Sequence, residues 1–215
     1  MKLLHLGTLF FVVEFLGVFV GALSGGLTAI RDTRYKYDLI GVFGMAFVTA
    51  LGGGVTRDVI LQSGTPLAFQ DVRYLVIALA GAAFAAAFEH RMGPAMDRAI
   101  DITDAAALGL FAIAGTTRAL NDRLALLPSI LLGLITAVGG GSLRDVLGGR
   151  APRVFQHGTF YTIAALAGSA TFLLCNALGL SRTASTVAGT VTCFLLRLLS
   201  VHFDWRTRPL RASID

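Results

Sequence analysis

The chain has 215 residues with 55% apolar and 14% charged side chains and a formal net charge of +5. A soluble domain carries roughly 25% charged residues, so this composition excludes a disordered chain, a collagen-like fibre and a disulfide-stapled miniprotein. It points to a chain whose solvent is lipid, and no basic run is long enough to form a nucleic-acid face.

A hydrocarbon core of about 30 Å needs roughly 17–25 helical residues to cross. Apolar stretches bounded by charge predict seven spans in chain order: Leu6–Ile30, Leu39–Leu61, Val72–Phe88, Ala105–Leu120, Leu124–Leu147, Phe160–Leu180 and Thr183–Val201. Glu14 and the lack of a small-residue cleavage site argue against a signal peptide in the first. The fourth is short and interrupted by Thr116, Thr117 and Arg118, which leaves six spans as the alternative. The expected fold is all-α: one polytopic transmembrane domain over residues 1–215. With seven spans, six Lys and Arg residues fall on the N-terminal side and eleven on the other. The richer side is expected to be cytoplasmic, with the N-terminus out and the C-terminus in. Cys175, Cys193 and the four scattered histidines suggest neither a redox pair nor a metal site, and no cofactor is expected.

Self-similarity is the strongest signal. Thr49–Val59 reads TALGGGVTRDV and Thr136–Val146 reads TAVGGGSLRDV, identical at eight of eleven positions at an offset of 87. Pro66 and Phe69 recur as Pro152 and Phe155, and Tyr74 recurs as Tyr161. At an offset of 90, Ser24-Gly25 matches Ala114-Gly115 and Glu14 matches Asp104. Three segments per copy is an odd number, so the second copy enters the membrane from the opposite side. The expected organisation is repeat one at about 6–90, repeat two at about 100–181, and a seventh helix at about 183–201. Inverted repeats of this kind place a site near the midplane on discontinuous helices.

Gly52, Gly53, Gly54 and Gly139, Gly140, Gly141 cost each helix on the order of 2–3 kcal/mol against alanine. One reading is that both helices break there, freeing carbonyls into a shared aqueous path, with Thr49, Thr136 and Ser24 adding hydroxyls that replace ion hydration. The other is close helix approach, as small residues allow. Arg57 and Arg144 either snorkel to an interface or turn inward to an acid. Asp58 and Asp145 are their neighbours in sequence, and i,i+1 side chains do not face each other on a helix. The repeat offers Glu14 for Arg57 and Asp104 for Arg144 instead, as two gates on opposite sides. Gly17, Gly21 and Gly25 form a GxxxGxxxG stripe that packs either within a protomer or between protomers. No phosphate loop and no Ser-His-acid set can be assembled, so no enzyme is expected.

Paired GGGxxRD motifs in the second and fifth segments, with an acid opening the first and fourth, resemble the prokaryotic branch of the trimeric intracellular cation channel family. The resemblance covers roughly residues 10–200. It implies a seven-helix protomer in a homotrimer in the cell's inner membrane, each protomer passing monovalent cations, chiefly potassium, between two glycine-kinked helices. By motif, Gly52, Gly53, Gly54, Arg57 and Asp58 form one half of the pore region, and Gly139, Gly140, Gly141, Arg144 and Asp145 the other. The family often has Asp where this chain has Glu14. Some bacterial relatives bear a glycine-transporter label, so the alternative function is a small-solute carrier working by rocking of the halves; a third is a membrane scaffold.

Overall fold

The computed structural model describes residues 7–92, 95–156 and 160–206; side chains of residues 88–92 are outside the description. Among these residues it contains eight α-helices: α1 (Thr8–Arg31), α2 (Leu39–Ile60), α3 (Leu67–Gln70), α4 (Val72–Met92), α5 (Met96–Asn121), α6 (Leu126–Leu147), α7 (Tyr161–Ala177) and α8 (Arg182–His202). A 3₁₀ turn covers Arg153–Phe155. No strand occurs among the described residues. Five helices, α1, α2, α5, α6 and α8, are long and apolar enough to cross a membrane, while α4 and α7 contribute shorter apolar stretches. The short fourth segment is extended at its start by about two and a half turns: α5 begins at Met96, and its polar first turns carry Asp97 and Asp101.

Local chemistry sets the helix ends. The Asp38 carboxylate accepts the Gly41 amide at 2.8 Å and the Ser181 hydroxyl accepts the Ala184 amide at 3.2 Å, each satisfying a donor that a helix start leaves open. Past the end of α2 the chain turns through Gln62 at φ 49°, and past α6 through Gly149 at φ 62°, the left-handed stop that helices commonly use. The duplicated Pro-x-x-Phe segments fold alike, as α3 after α2 and as the 3₁₀ turn after α6, each with a proline at its start.

α1 packs against α2, α4 and α5; α5 packs against α6, α7 and α8; and α2 meets α6 at the centre. Small residues such as Ala46, Ala50, Ala78, Ala82, Ala112 and Ala164 fill the interior, which suits a medium where association relies on close van der Waals approach rather than on the hydrophobic effect. Many large apolar residues face outward. On α8, Val187, Val191, Leu195 and Leu199 recur every four residues on the exposed face, while Ser185, Thr186, Cys193, Arg197 and Ser200 are buried. The GxxxGxxxG stripe is spent within the chain: a side chain at Gly17 or Gly21 would strike the Phe111 ring, and one at Gly25 would strike Thr49.

One expectation is corrected. Neither α2 nor α6 breaks at its glycine triplet; both run as continuous 22-residue α-helices. Every i→i−4 bond retained offsets part of the glycine penalty, and the absent side chains are used for contact. A Cβ on Gly53 would collide with the Thr136 carbonyl oxygen, and one on Gly140 with the Thr49 carbonyl oxygen. Gly139 lies against the Gly53 backbone, its added Cβ meeting Cα at 3.1 Å. Residues advancing along α2 meet residues receding along α6, so the two helices cross antiparallel with their backbones in direct contact.

Candidate functional site

The crossing is flanked by two buried charge clusters. Because α2 and α6 are antiparallel, Arg57 near the end of α2 and Arg144 near the end of α6 lie at opposite ends of the molecule. In the first cluster the Arg57 guanidinium donates to Glu14 Oε1 at 2.5 Å and, through Nε, to Asp58 Oδ1 at 2.8 Å. The Tyr74 hydroxyl donates to the other Glu14 oxygen at 2.6 Å, and the Leu67 amide donates to Asp58 Oδ2 at 2.9 Å. Arg57, Glu14 and Asp58 are each about 1% exposed. Both carboxylates are therefore used twice, which is the condition for tolerating charges out of water. The cavity against this cluster is about 10 Å³, room for roughly one water.

The second cluster repeats the plan with looser contacts. Arg144 donates to Asp104 at 3.3 Å and to Asp145 at 3.0 Å, and the Arg153 amide reaches Asp145 Oδ2 at 3.3 Å. Arg153 stands where Leu67 stands in the first copy, and its guanidinium adds a second donor to Asp104 at 3.3 Å. Arg197 lies over the Tyr161 ring at 4.9 Å. A cavity of about 170 Å³ lined by Thr28, Arg31, Asp97, Ile100, Asp101, Arg150 and Arg153 adjoins this cluster. The shorter Asp104 reaches less far than Glu14, and the gap is made up by Arg153.

The pairing of Glu14 with Arg57 and of Asp104 with Arg144, read from the duplication, is present in both copies. The statement that Asp58 and Asp145 do not face their neighbouring arginines is corrected: each accepts from the adjacent Arg Nε. The rule of non-facing neighbours concerns Cβ directions, and the long arginine stem curls back at the last turn, where the carboxylate also holds the following loop. Thr49 and Thr136 donate to Met45 and Leu132 carbonyls on their own helices, both at 2.7 Å. Their side chains pack on Gly25 and Gly115 respectively. Ser24 is fully buried, its hydroxyl without a hydrogen-bond partner. Gly54 and Gly141 are the open members of their triplets, each with ordinary contacts at 3.4 Å or more.

Sequence reading missed several members. Tyr74 was visible only as a recurring tyrosine. Arg153 was hidden because its counterpart is Leu67, so the duplication gave no signal. Buried Arg118, whose Nε is 4.0 Å from Asp58 and 3.9 Å from Asp122, reads in the sequence only as an interruption of the fourth span. Among the described residues no group of His, Cys, Asp and Glu is placed to hold a metal.

The family model described as "Glycine transporter" matches residues 11–90 and again 101–177. A UPF0126 membrane protein of Streptomyces coelicolor is 42% identical over 191 residues, covering 89% of this chain and 86% of the relative. Another, from Deinococcus radiodurans, is 36% identical over 158 residues, covering 73% and 72%. The solved trimeric intracellular cation channel of Rhodobacter sphaeroides aligns with a TM-score of 0.83 at 31% identity, covering 92% of this chain and 99% of that one. A prokaryotic channel of the same kind, solved in 0.5 M KCl, aligns at 0.82 with 26% identity, covering 91% and 96%. The chain belongs to the prokaryotic trimeric intracellular cation channel family. It is a multi-pass membrane protein, and relatives in Escherichia coli are named inner membrane proteins.

Proposed function

We propose that this chain is a monovalent cation channel, chiefly for potassium. In this reading seven helices cross the inner membrane, with the N-terminus out and the C-terminus in. Two inverted repeats, at about 6–90 and 100–181, precede α8, and the protein works as a homotrimer. Each protomer conducts between α2 and α6, whose glycines, Thr49, Thr136 and Ser24 line the path, and Arg57–Glu14 and Arg144–Asp104 act as gates at its two ends. The observation that carries the reading is the pair of buried arginine–acid clusters on either side of a backbone-to-backbone crossing, in a fold shared with solved cation channels. The conformation described is the closed one: the Gly53–Thr136 and Gly140–Thr49 contacts seal the seam. Opening separates α2 from α6, exposing main-chain carbonyls whose partial negative charge favours a cation.

A glycine carrier is the second reading, favoured by the description of the family model and by its matching the chain twice. A zwitterion needs an anion site, which Arg57 or Arg144 supplies on rocking of the halves. Purified protein in liposomes under a potassium gradient, with radiolabelled glycine in parallel, separates the two. Single-channel currents far above carrier turnover support the channel. Saturable glycine uptake without conductance overturns it.

A further inference from the structure

A second duplicated contact lies outside both charge clusters, and it joins one half of the chain to the other. After α2 the Ser63 amide donates to the Asp58 carbonyl at 3.2 Å; after α6 the Arg150 amide donates to the Asp145 carbonyl at 2.8 Å. Ser63 and Arg150 thus hold equivalent places. Each faces the residue that caps the first helix of the opposite half. The Ser63 hydroxyl contacts Asp122, the C-cap of α5, at 3.2 Å, and the Arg150 guanidinium contacts Asp32, the C-cap of α1. The chemistry differs between the ends. One tie is a hydroxyl on a carboxylate, with Arg118 Nε standing 4.0 Å from Asp58 beside it and making no hydrogen bond. The other is an ion pair on an Asp32 side chain only 3% exposed, reinforced by Arg34. Arg34 holds Asp32 at 3.2 Å and also donates to the Gly148 carbonyl of the second half at 2.8 Å.

We propose that Asp32, with Arg34 and Arg150, is a latch that fastens the two halves at one end of the molecule, and that its release admits the open state. The α2–α6 crossing lies between the two ties, and parting the helices there strains both. The hydroxyl tie at Ser63 yields first, so the ionic tie at Asp32 sets the resistance to opening. At Ser63 only the acceptor is ionised, whereas at Asp32 both partners are and two guanidinium groups share the carboxylate, so the two ends differ in the force needed to part them. None of the three latch residues belongs to the clusters proposed as gates; they are positioning residues acting on the α6 end.

The inference rests on the conduction reading, so its test has two independent arms, both on the full chain. In planar bilayers with potassium, Asp32→Asn and Arg150→Gln are expected to raise open probability by about tenfold at unchanged unitary conductance. Arg150→Lys keeps the charge and stays near the parent value, and Ser63→Ala has the smaller effect. In amide hydrogen exchange, Asp32→Asn is expected to speed exchange at Gly149 and Arg150 by about tenfold while leaving Gln62 and Ser63 unchanged. Conduction by the parent chain with open probability unmoved by Asp32→Asn overturns the latch and leaves the channel standing. A silent parent chain overturns the channel alone. Exchange then decides the tie by itself: acceleration confined to Gly149 and Arg150 supports it, and equal rates remove it.

Discussion

Gly53 and Gly54 are neighbours in one triplet, and alanine at each is expected to do opposite things. At Gly53 the added methyl lies well inside contact distance of the Thr136 carbonyl oxygen, a backbone atom on another helix that cannot rotate away. Overpacking of this kind costs about 1–3 kcal/mol, against about 1 kcal/mol gained from the better helix propensity of alanine. The net is a loss of up to about 2 kcal/mol, or a fall of up to roughly 8 °C in Tm for a chain of this size. At Gly54 the nearest atoms, Arg57 Nη2 and Glu14 Oε1, are both 3.8 Å from the added methyl. Only the propensity gain remains, a rise of roughly 2–4 °C. Gly44, with nothing within 4 Å, is the control for propensity alone and should match Gly54. The measurement is thermal unfolding in detergent followed by size exclusion. If the triplet acted through chain flexibility rather than close approach, Gly53→Ala and Gly54→Ala would shift Tm alike. That result refutes the argument.

Glu14→Arg and Arg57→Glu should each abolish potassium flux in liposomes, because each sets like charges together in a buried cluster where removing one partner alone costs about 3–5 kcal/mol; flux should return in the double exchange, and a double variant no better than the singles rejects the gate. Tyr74→Phe removes a hydrogen bond to a buried carboxylate, worth about 1.5–3 kcal/mol, whereas Tyr161→Phe removes none to Asp104, so the first should lower Tm by more than the second in the same unfolding assay. Desolvation pushes the Asp32 pKa up, but hydrogen bonds from Arg34 and Arg150 outweigh it and hold the carboxyl well below the usual range. Its stabilising contribution is therefore complete above the unfolded value of about 3.9 and is lost only as pH falls below that. Unfolding midpoints across pH should show this acid loss in the parent chain and a smaller one in Asp32→Asn; equal losses refute the assignment.

What the chain determined by itself follows from short-range rules and from copying. The apolar segments mark the helices because lipid leaves main-chain polar groups no partner but their own helix. The doubled GGGxxRD with its flanking acids named both charge clusters, since a duplicated motif repeats its contacts. Tertiary structure decided the rest. Whether a glycine triplet bends a helix or admits a neighbour depends on what stands opposite, and Thr49 and Thr136 offer their carbonyls there. Asp58 turned toward Arg57 because the loop after α2 returns the Leu67 amide to its other oxygen. Arg118, Arg153 and Arg150 stayed out of sight for one reason: their partners Asp58, Asp104 and Asp32 come from distant segments, and the other copy has a different residue type at each arginine's place.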